Sequence, residues 1–276
     1  MLDRALATAV YLLIRIGKPL LIEGHAGVGK TEVAKALASF LGVELIRLQC
    51  YEGLDIASAV YEWNYQKQLL AIKILERTDH SVEGVEERIF SSDFLLERPL
   101  LRSVRAEHAS PVLLVDEIDR ADEPFEAFLL ELLSDFQITI PELGTIRARH
   151  RPHVLLTSNR TRELSDALKR RCLYHWIDYP DFEKEMEIVR LRVPSIDSEL
   201  GAQVVGFVQA VRKMNLSKPP GIAETLDCVQ ALQTLGKKRL DAGAAEETLG
   251  CIAKSVDDSE KIKAGGIERI LSRVVE

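Results

Sequence analysis

Residues 24–31 read Gly24-His25-Ala26-Gly27-Val28-Gly29-Lys30-Thr31, a full match to G-x-x-x-x-G-K-[ST]. No other stretch constrains the fold as much, because this loop works only between a strand and the helix that follows it. The flanks agree. The apolar run Leu20-Leu21-Ile22 precedes the loop, and residues 32–41 carry helical spacing. The glycines let successive backbone N–H groups turn inward around phosphate oxygens at a helix N-terminus. Lys30 adds a positive charge at the β/γ-phosphates, and Thr31 offers a hydroxyl to Mg²⁺.

Two further strand ends carry polar groups. Pro111-Val-Leu-Leu-Val115 is wholly apolar, as expected for a strand buried on both faces of a parallel sheet, and it ends in Asp116-Glu117-Ile118-Asp119. Open α/β sheets place their ligands at the carboxyl ends of such strands. There Asp116 can hold Mg²⁺ and Glu117 can accept a proton from an attacking water. Alone, an Asp-Glu pair after a strand is more often a solvated turn; the upstream loop reverses that in favour of the site. His153-Val-Leu-Leu-Thr157-Ser158-Asn159 reads as a third such strand. Asn159 either orients the water against the γ-phosphate or caps a helix beginning at 160–163, and its place as the third strand-end polar group favours the first role.

Composition sets the limits. The 276 residues are 46% hydrophobic and 29% charged, which describes a globular chain of one large or two modest domains. Arg15, Lys18 and Glu23 interrupt the longest apolar stretches, and the N-terminus lacks a secretory pattern, so neither a membrane span nor a leader is expected. Cys50, Cys172, Cys228 and Cys251 are scattered without a C-x-x-C, which signals neither zinc nor a disulfide framework and points to the cytoplasm. The net charge of −7 opposes nucleic-acid binding.

Five strands are expected, over 20–22, 44–49, 112–115, 154–157 and 173–177, most of them separated by helical patterns, the signature of a parallel sheet with helices on both faces. The second and third are more than sixty residues apart. Within that interval, 58–76 reads as an inserted amphipathic helix with Val60, Trp63, Leu70 and Ile74 as its apolar marks, followed by a polar loop over 77–87 with a solvated His80. Short β-type runs around Pro141 and Gly144 suggest an inserted hairpin over 137–150. From residue 182 onward only helical periodicity remains. Breaks at Pro194, Pro219-Pro220-Gly221, Gly236, Ala242-Gly243 and Gly265-Gly266 mark about five helices, enough for a small helical domain.

A phosphate loop, an Asp-Glu strand end, a polar strand end and a helical C-terminal region, in that order, resemble an AAA+ ATPase. The inserted helix, the hairpin and Asp116-Glu-Ile-Asp-Arg-Ala-Asp122 narrow the likeness to the MoxR family. Phe125-Glu-Ala-Phe-Leu-Leu-Glu-Leu-Leu-Ser-Asp135, Ile140-Pro-Glu-Leu-Gly-Thr145, Thr157-Ser-Asn-Arg-Thr-Arg-Glu-Leu164, Asp166-Ala-Leu-Lys-Arg-Arg-Cys-Leu-Tyr-His-Trp176 and Pro219-Pro-Gly-Ile-Ala-Glu-Thr-Leu-Asp227 resemble its CoxD-like branch. The likeness covers nearly the whole chain, and it is most specific over 110–180.

The resemblance implies a P-loop NTPase core, a three-layer αβα arrangement around a five-stranded parallel sheet. That core would span 1–181, with a helix insertion at about 54–76 and a hairpin insertion at about 137–150, and an all-α lid would span 182–276. It implies Mg²⁺-dependent hydrolysis of ATP to ADP and phosphate in a homo-oligomeric ring, usually a hexamer, with Lys30, Glu117, Asn159 and Arg171 catalytic. Arg171 matches the arginine that reaches the γ-phosphate held by the neighbouring subunit; Arg170 is the second candidate, and both also suit a basic helix C-terminus. It further implies a remodelling chaperone that matures a molybdenum hydroxylase of the carbon monoxide dehydrogenase type. Such a chaperone works beside a partner with a von Willebrand factor A domain, in the cytoplasm, with peripheral association to the inner face of the membrane left open. Two departures stand out. Ala223 occupies the place of the lid arginine, and His25 and Ala26 replace the usual loop prolines. The competing readings are a relative with another client, a DNA-remodelling relative, hinted at only by Arg147, Arg149 and Arg151, and a small-molecule kinase, which should lack the Asp-Glu pair, the paired arginines and a lid of this size.

Overall fold

The computed structural model describes residues 3–75 and 88–275, with side chains to residue 272; the expected polar loop with His80 lies outside them. The chain forms two compact units. One comprises Leu2–Gly24 and Lys30–Trp176; the other comprises His25–Gly29 together with the chain from Ile177 onward.

The first unit is built on a five-stranded parallel sheet of α/β class. Its strands are β1 (Leu20–Gly24), β2 (Leu45–Gln49), β5 (Val112–Asp116), β8 (His153–Ser158) and β9 (Leu173–Ile177), in the order β2-β5-β8-β1-β9. The register pairs Leu20 with Leu155, Leu45 with Val112, and Val112 with His153. Side chains alternate across a strand, so one face carries Leu21, Ile46, Leu48, Leu113, Val115, Val154 and Leu156 into a single core with the helix Pro99–Val104. Leu20, Ile22, Val112, Leu114 and Leu155 are just as buried and point the opposite way, so both faces are covered. This explains why β1 and β5 read as unbroken apolar runs, while β2, at the edge, alternates. Local signals set the helix ends. Asp3 caps Arg4–Ile16 by accepting from the Leu6 N–H at 2.7 Å, and Gly17 ends it at φ 72°.

The segment expected as one helix over 58–76 is divided. A short helix, Ile56–Ala59, leads into β3 (Tyr61–Trp63), which pairs antiparallel with β4 (Leu95–Glu97), and only Tyr65–Leu75 is a longer helix. The Tyr-Glu-Trp triplet favours a strand, and Trp63 is buried with its ring edge-on to Phe90. Leu70 and Ile74, taken as marks of a buried face, are instead exposed, while Gln68 is buried and donates to the Ile89 carbonyl. Further on, β6 (Gln137–Ile140) and β7 (Gly144–Arg147) pair as a hairpin, with Gly144 at φ 74°.

In the second unit, seven helical segments follow among the described residues: Phe182–Arg192, Ser198–Arg212, Ile222–Thr234, Ala242–Glu247, Leu249–Ile252, Val256–Ala264 and Ile267–Val275. Their core includes Val189, Val204, Phe207, Val208, Val229 and Ile262. Ala242-Gly243, read from sequence as a break, instead opens a helix, because Asp241 caps it by accepting from the Ala244 N–H at 2.9 Å.

Candidate nucleotide site

The strand order makes β1, β8 and β5 consecutive neighbours, so the chain leaving β1, Asp116 and the end of β8 share one edge of the sheet. The loop after β1 takes the backbone its glycines permit: Gly27 lies at φ 75° and Gly29 at φ 91°. Within the second unit, the Gly27 carbonyl accepts from the Ile222 N–H at 3.0 Å, and the His25 ring stacks on Tyr179 at 4.6 Å.

Lys30 opens the helix Lys30–Leu41 with its side chain buried. Its ammonium donates to the Gly24 carbonyl at 2.8 Å and to Asn159 Oδ1 at 2.7 Å. Burial holds Lys30 below the ordinary lysine value, an effect opposed by the carboxylates of Asp119, Asp116, Glu117 and Glu23. The Asn159 amide nitrogen in turn donates to Glu117 Oε1 at 3.2 Å. An ammonium can only donate and a carboxylate can only accept, so the two partners fix which way the amide points. Asn159 therefore joins Lys30 to Glu117. It does not cap a helix, since the next one begins at Asp166 and is capped by Ser165.

Asp116 is the most heavily engaged group. Thr157 Oγ1 donates to its Oδ1 at 2.5 Å, the Thr31 hydroxyl lies 3.2 Å from both oxygens, and Arg47 donates to Oδ2 through Nη2 at 2.6 Å and Nε at 3.0 Å. Glu117 follows in the left-handed region at φ 55°, ψ 49°, costly for a non-glycine residue. Its N–H donates to Thr157 Oγ1 at 2.9 Å, and its carboxylate also meets Arg120 Nε at 2.8 Å. Asp119 is buried, its Oδ2 accepting from Thr161, while its Oδ1 has no hydrogen-bond partner.

Arg171 ends the helix Asp166–Arg171, exposed beside Arg170, and its guanidinium donates to Ser134 Oγ at 2.8 Å and to the Ala167 carbonyl at 3.1 Å. Ala223 is exposed in the first turn of Ile222–Thr234, and Glu224 accepts from the Gly221 N–H at 2.9 Å. Burial pushes the Cys50 thiol, near Asp116, up to about 12, so it is not a nucleophile at neutral pH.

The donor set fits a hard divalent cation. A threonine hydroxyl and one carboxylate stand together, and among the described residues no cluster of three or more His, Cys, Asp or Glu forms a cage. Mg²⁺ sites of that kind take one or two carboxylates and leave their other positions to phosphate and water. Sequence reasoning missed Arg47, Thr157 and Arg120. Arg47 left a signal as a charged residue between the apolar Ile46 and Leu48 of a strand, and Thr157 as part of the polar strand end that leads to Asn159.

The chain is similar to uncharacterised proteins of staphylococci. It is 25% identical over 237 residues to one from Staphylococcus haemolyticus, covering 83% of this chain and 81% of the relative. It is 26% identical over 230 residues to one from Staphylococcus aureus, covering 81% and 78%. Among solved structures, a RuvB mutant from Thermotoga maritima superposes with a TM-score of 0.50 at 19% identity, over 89% of this chain and 67% of that one, a likeness of fold. The model of the AAA domain, dynein-related subfamily, matches residues 19–172. That span holds the phosphate loop, Asp116, Glu117 and Asn159, and it makes up more than half of the sequence: the chain belongs to the AAA domain family, in its dynein-related subfamily.

Proposed function

We propose that this chain hydrolyses ATP in a ring of its own copies and uses the cycle to remodel another protein. The observation that carries the reading is Asn159 bonded to both Lys30 and Glu117, with Thr31 and Asp116 alongside. On this reading the backbone from Gly24 to Thr31 binds the phosphates. The Lys30 ammonium exchanges the Gly24 carbonyl and Asn159 for phosphate oxygens. Glu117 accepts the proton of the attacking water, and Asn159 orients that water. Thr31 and Asp116 hold Mg²⁺, which neutralises charge between the phosphates when bound. Arg171, exposed at a helix end, supplies its cation to the site of a neighbouring subunit, usually one of six.

The sequence runs similar to the CoxD-like branch of MoxR proteins support a finer reading, a core over 1–181 with a lid over 182–276. The client would then be a metalloenzyme such as a molybdenum hydroxylase of the carbon monoxide dehydrogenase type, reached with a partner bearing a von Willebrand factor A domain, in the cytoplasm. Among the described residues no helix is long and apolar enough to cross a membrane.

The deciding experiment mixes Arg171→Ala with Glu117→Gln, each nearly inactive alone. In a shared site some interfaces pair an intact Glu117 with an intact Arg171, so part of the ATPase activity returns. No rescue in rings shown to contain both variants refutes the shared site. Co-purification with tagged Glu117→Gln then tests the client; turnover stimulated by DNA, with no protein partner recovered, would point to a nucleic-acid substrate instead.

A further inference from the structure

Arg47 stands where sheet register puts it. It pairs with Leu114 and Gln49 pairs with Asp116, so Arg47 and Asp116 are diagonal neighbours on one face of the sheet, the face opposite Ile46 and Leu48. Its guanidinium makes two bonds to Asp116 Oδ2. The two partners differ in exposure: the Asp116 side chain is 4% exposed and that of Arg47 is 49% exposed. Nη2 also donates to Gln49 Oε1 at 2.5 Å, so the cation has a second acceptor on its own strand and open solvent beside it. Thr157 and Thr31 occupy the remaining acceptor capacity of Asp116.

A carboxylate held this way already shares its Oδ2 with one cation and has less charge to offer a second. Burying the bare carboxylate would be costly, and Arg47 offsets part of that cost. A metal ion taking the same oxygen meets the guanidinium at close range, and like charges there repel.

We infer that Arg47 is a positioning residue that competes with a divalent cation for Asp116 Oδ2, keeping Gln49 as its alternative acceptor, so that Arg47 sets the cation concentration the site requires. The inference rests on the proposed nucleotide site.

The test titrates Mg²⁺ against binding of a fluorescent ATP analogue, and Mn²⁺ by its paramagnetic resonance signal, in the full chain and in Arg47→Gln and Arg47→Lys. Arg47→Gln removes the competing cation and should lower the half-saturating concentration of either metal about fivefold, the scale of a half-exposed ion pair. Arg47→Lys keeps the charge and should stay near the parent even though it loses the paired bonds. A guanidinium that only braced the strand would leave the metal requirement unmoved in both variants. An unchanged requirement overturns the inference, and so does a raised one, which would mean that Arg47 holds Asp116 in place for the metal. A parent chain that binds nucleotide with no dependence on metal overturns it together with the reading of Asp116. Metal-dependent binding with unmoved variants overturns it alone.

Discussion

Carboxylates in two regions of this chain are held by arginines, and their settings are opposite. In the C-terminal unit Glu185 is fully buried. It accepts from Arg212 at 2.9 and 3.0 Å, from Thr225 Oγ1 at 2.6 Å and from Gln209 at 3.0 Å. Arg212 is itself only 8% exposed, donates to the Pro220 carbonyl and lies 4.5 Å over the Tyr179 ring. Arg212 and Thr225 are enclosed with it, so the arginine cannot leave without stranding a charge. At the sheet edge, Asp116 and Glu117 are held by Arg47 and Arg120, both about half in solvent, and by a threonine and an asparagine with other partners to turn to. The same chemistry therefore serves as a fixed brace where both partners are buried, and as an exchangeable set where one faces water.

This contrast predicts that the sheet-edge network governs turnover and the Glu185 network governs stability. The largest effect is expected at Glu117. Glu117→Gln keeps the shape and the bond from Asn159 but cannot take a proton, so turnover should fall about 10²–10⁴-fold while ATP still binds. Its unfolding free energy should stay within about 0.5 kcal/mol of the parent, as for a partly exposed side chain. Turnover at the parental rate removes Glu117 as the base. A large loss of stability would erase the contrast itself.

Next in size is Arg212→Ala. Removing one partner of a buried pair leaves the other charged and enclosed, at a cost of about 3–5 kcal/mol. Amide hydrogen exchange over Phe182–Arg192 and Ser198–Arg212 should show protection falling there, and much less across β1, β5 and β8, since opening occurs in local cooperative units. A loss below about 1 kcal/mol would mean that water reaches Glu185 and that the enclosure is not what fixes it.

The two networks also differ in how they can be read from sequence. Lys30, Thr31, Asp116, Glu117 and Asn159 are visible because each sits in a short local pattern at the end of an apolar run. Arg47 and Thr157 reach Asp116 across 69 and 41 residues, and only strand register brings them there. Glu185 and Arg212 look like ordinary charges on amphipathic helices, 27 residues apart. Strands β1, β5 and β8 were legible because strands buried on both faces leave unbroken apolar runs. The 58–76 segment misled for the reverse reason. Its apolar residues fit a helical period, yet Trp63 is buried from a strand while Leu70 and Ile74 face outward.

The smallest effect concerns Asp258, a second enclosed acid of the C-terminal unit, held mainly by neutral donors, with the half-exposed Lys261 ammonium 4.0 Å from its Oδ1. Its Oδ1 accepts from the Ser217 N–H at 2.8 Å, and its Oδ2 from the Ser217 hydroxyl at 2.7 Å and the Lys218 N–H at 3.1 Å. These bonds, the Ser217 N–H foremost, hold the Asp258 carboxyl at about 2 against an ordinary 3.8. The folded value is the lower one, so the unfolded chain takes up protons first as acid is added. The stabilisation from Asp258 is complete above about pH 4 and fades as the pH falls toward 2. Asp258→Asn should therefore be less stable than the parent at neutral pH, and the gap between them should close between pH 4 and 2. Denaturant unfolding followed by circular dichroism at several pH values measures that gap directly. A gap that stays constant down to pH 2.5 would mean that the donors prefer a neutral acceptor equally well, and that Asp258 braces its turn by shape and not by charge.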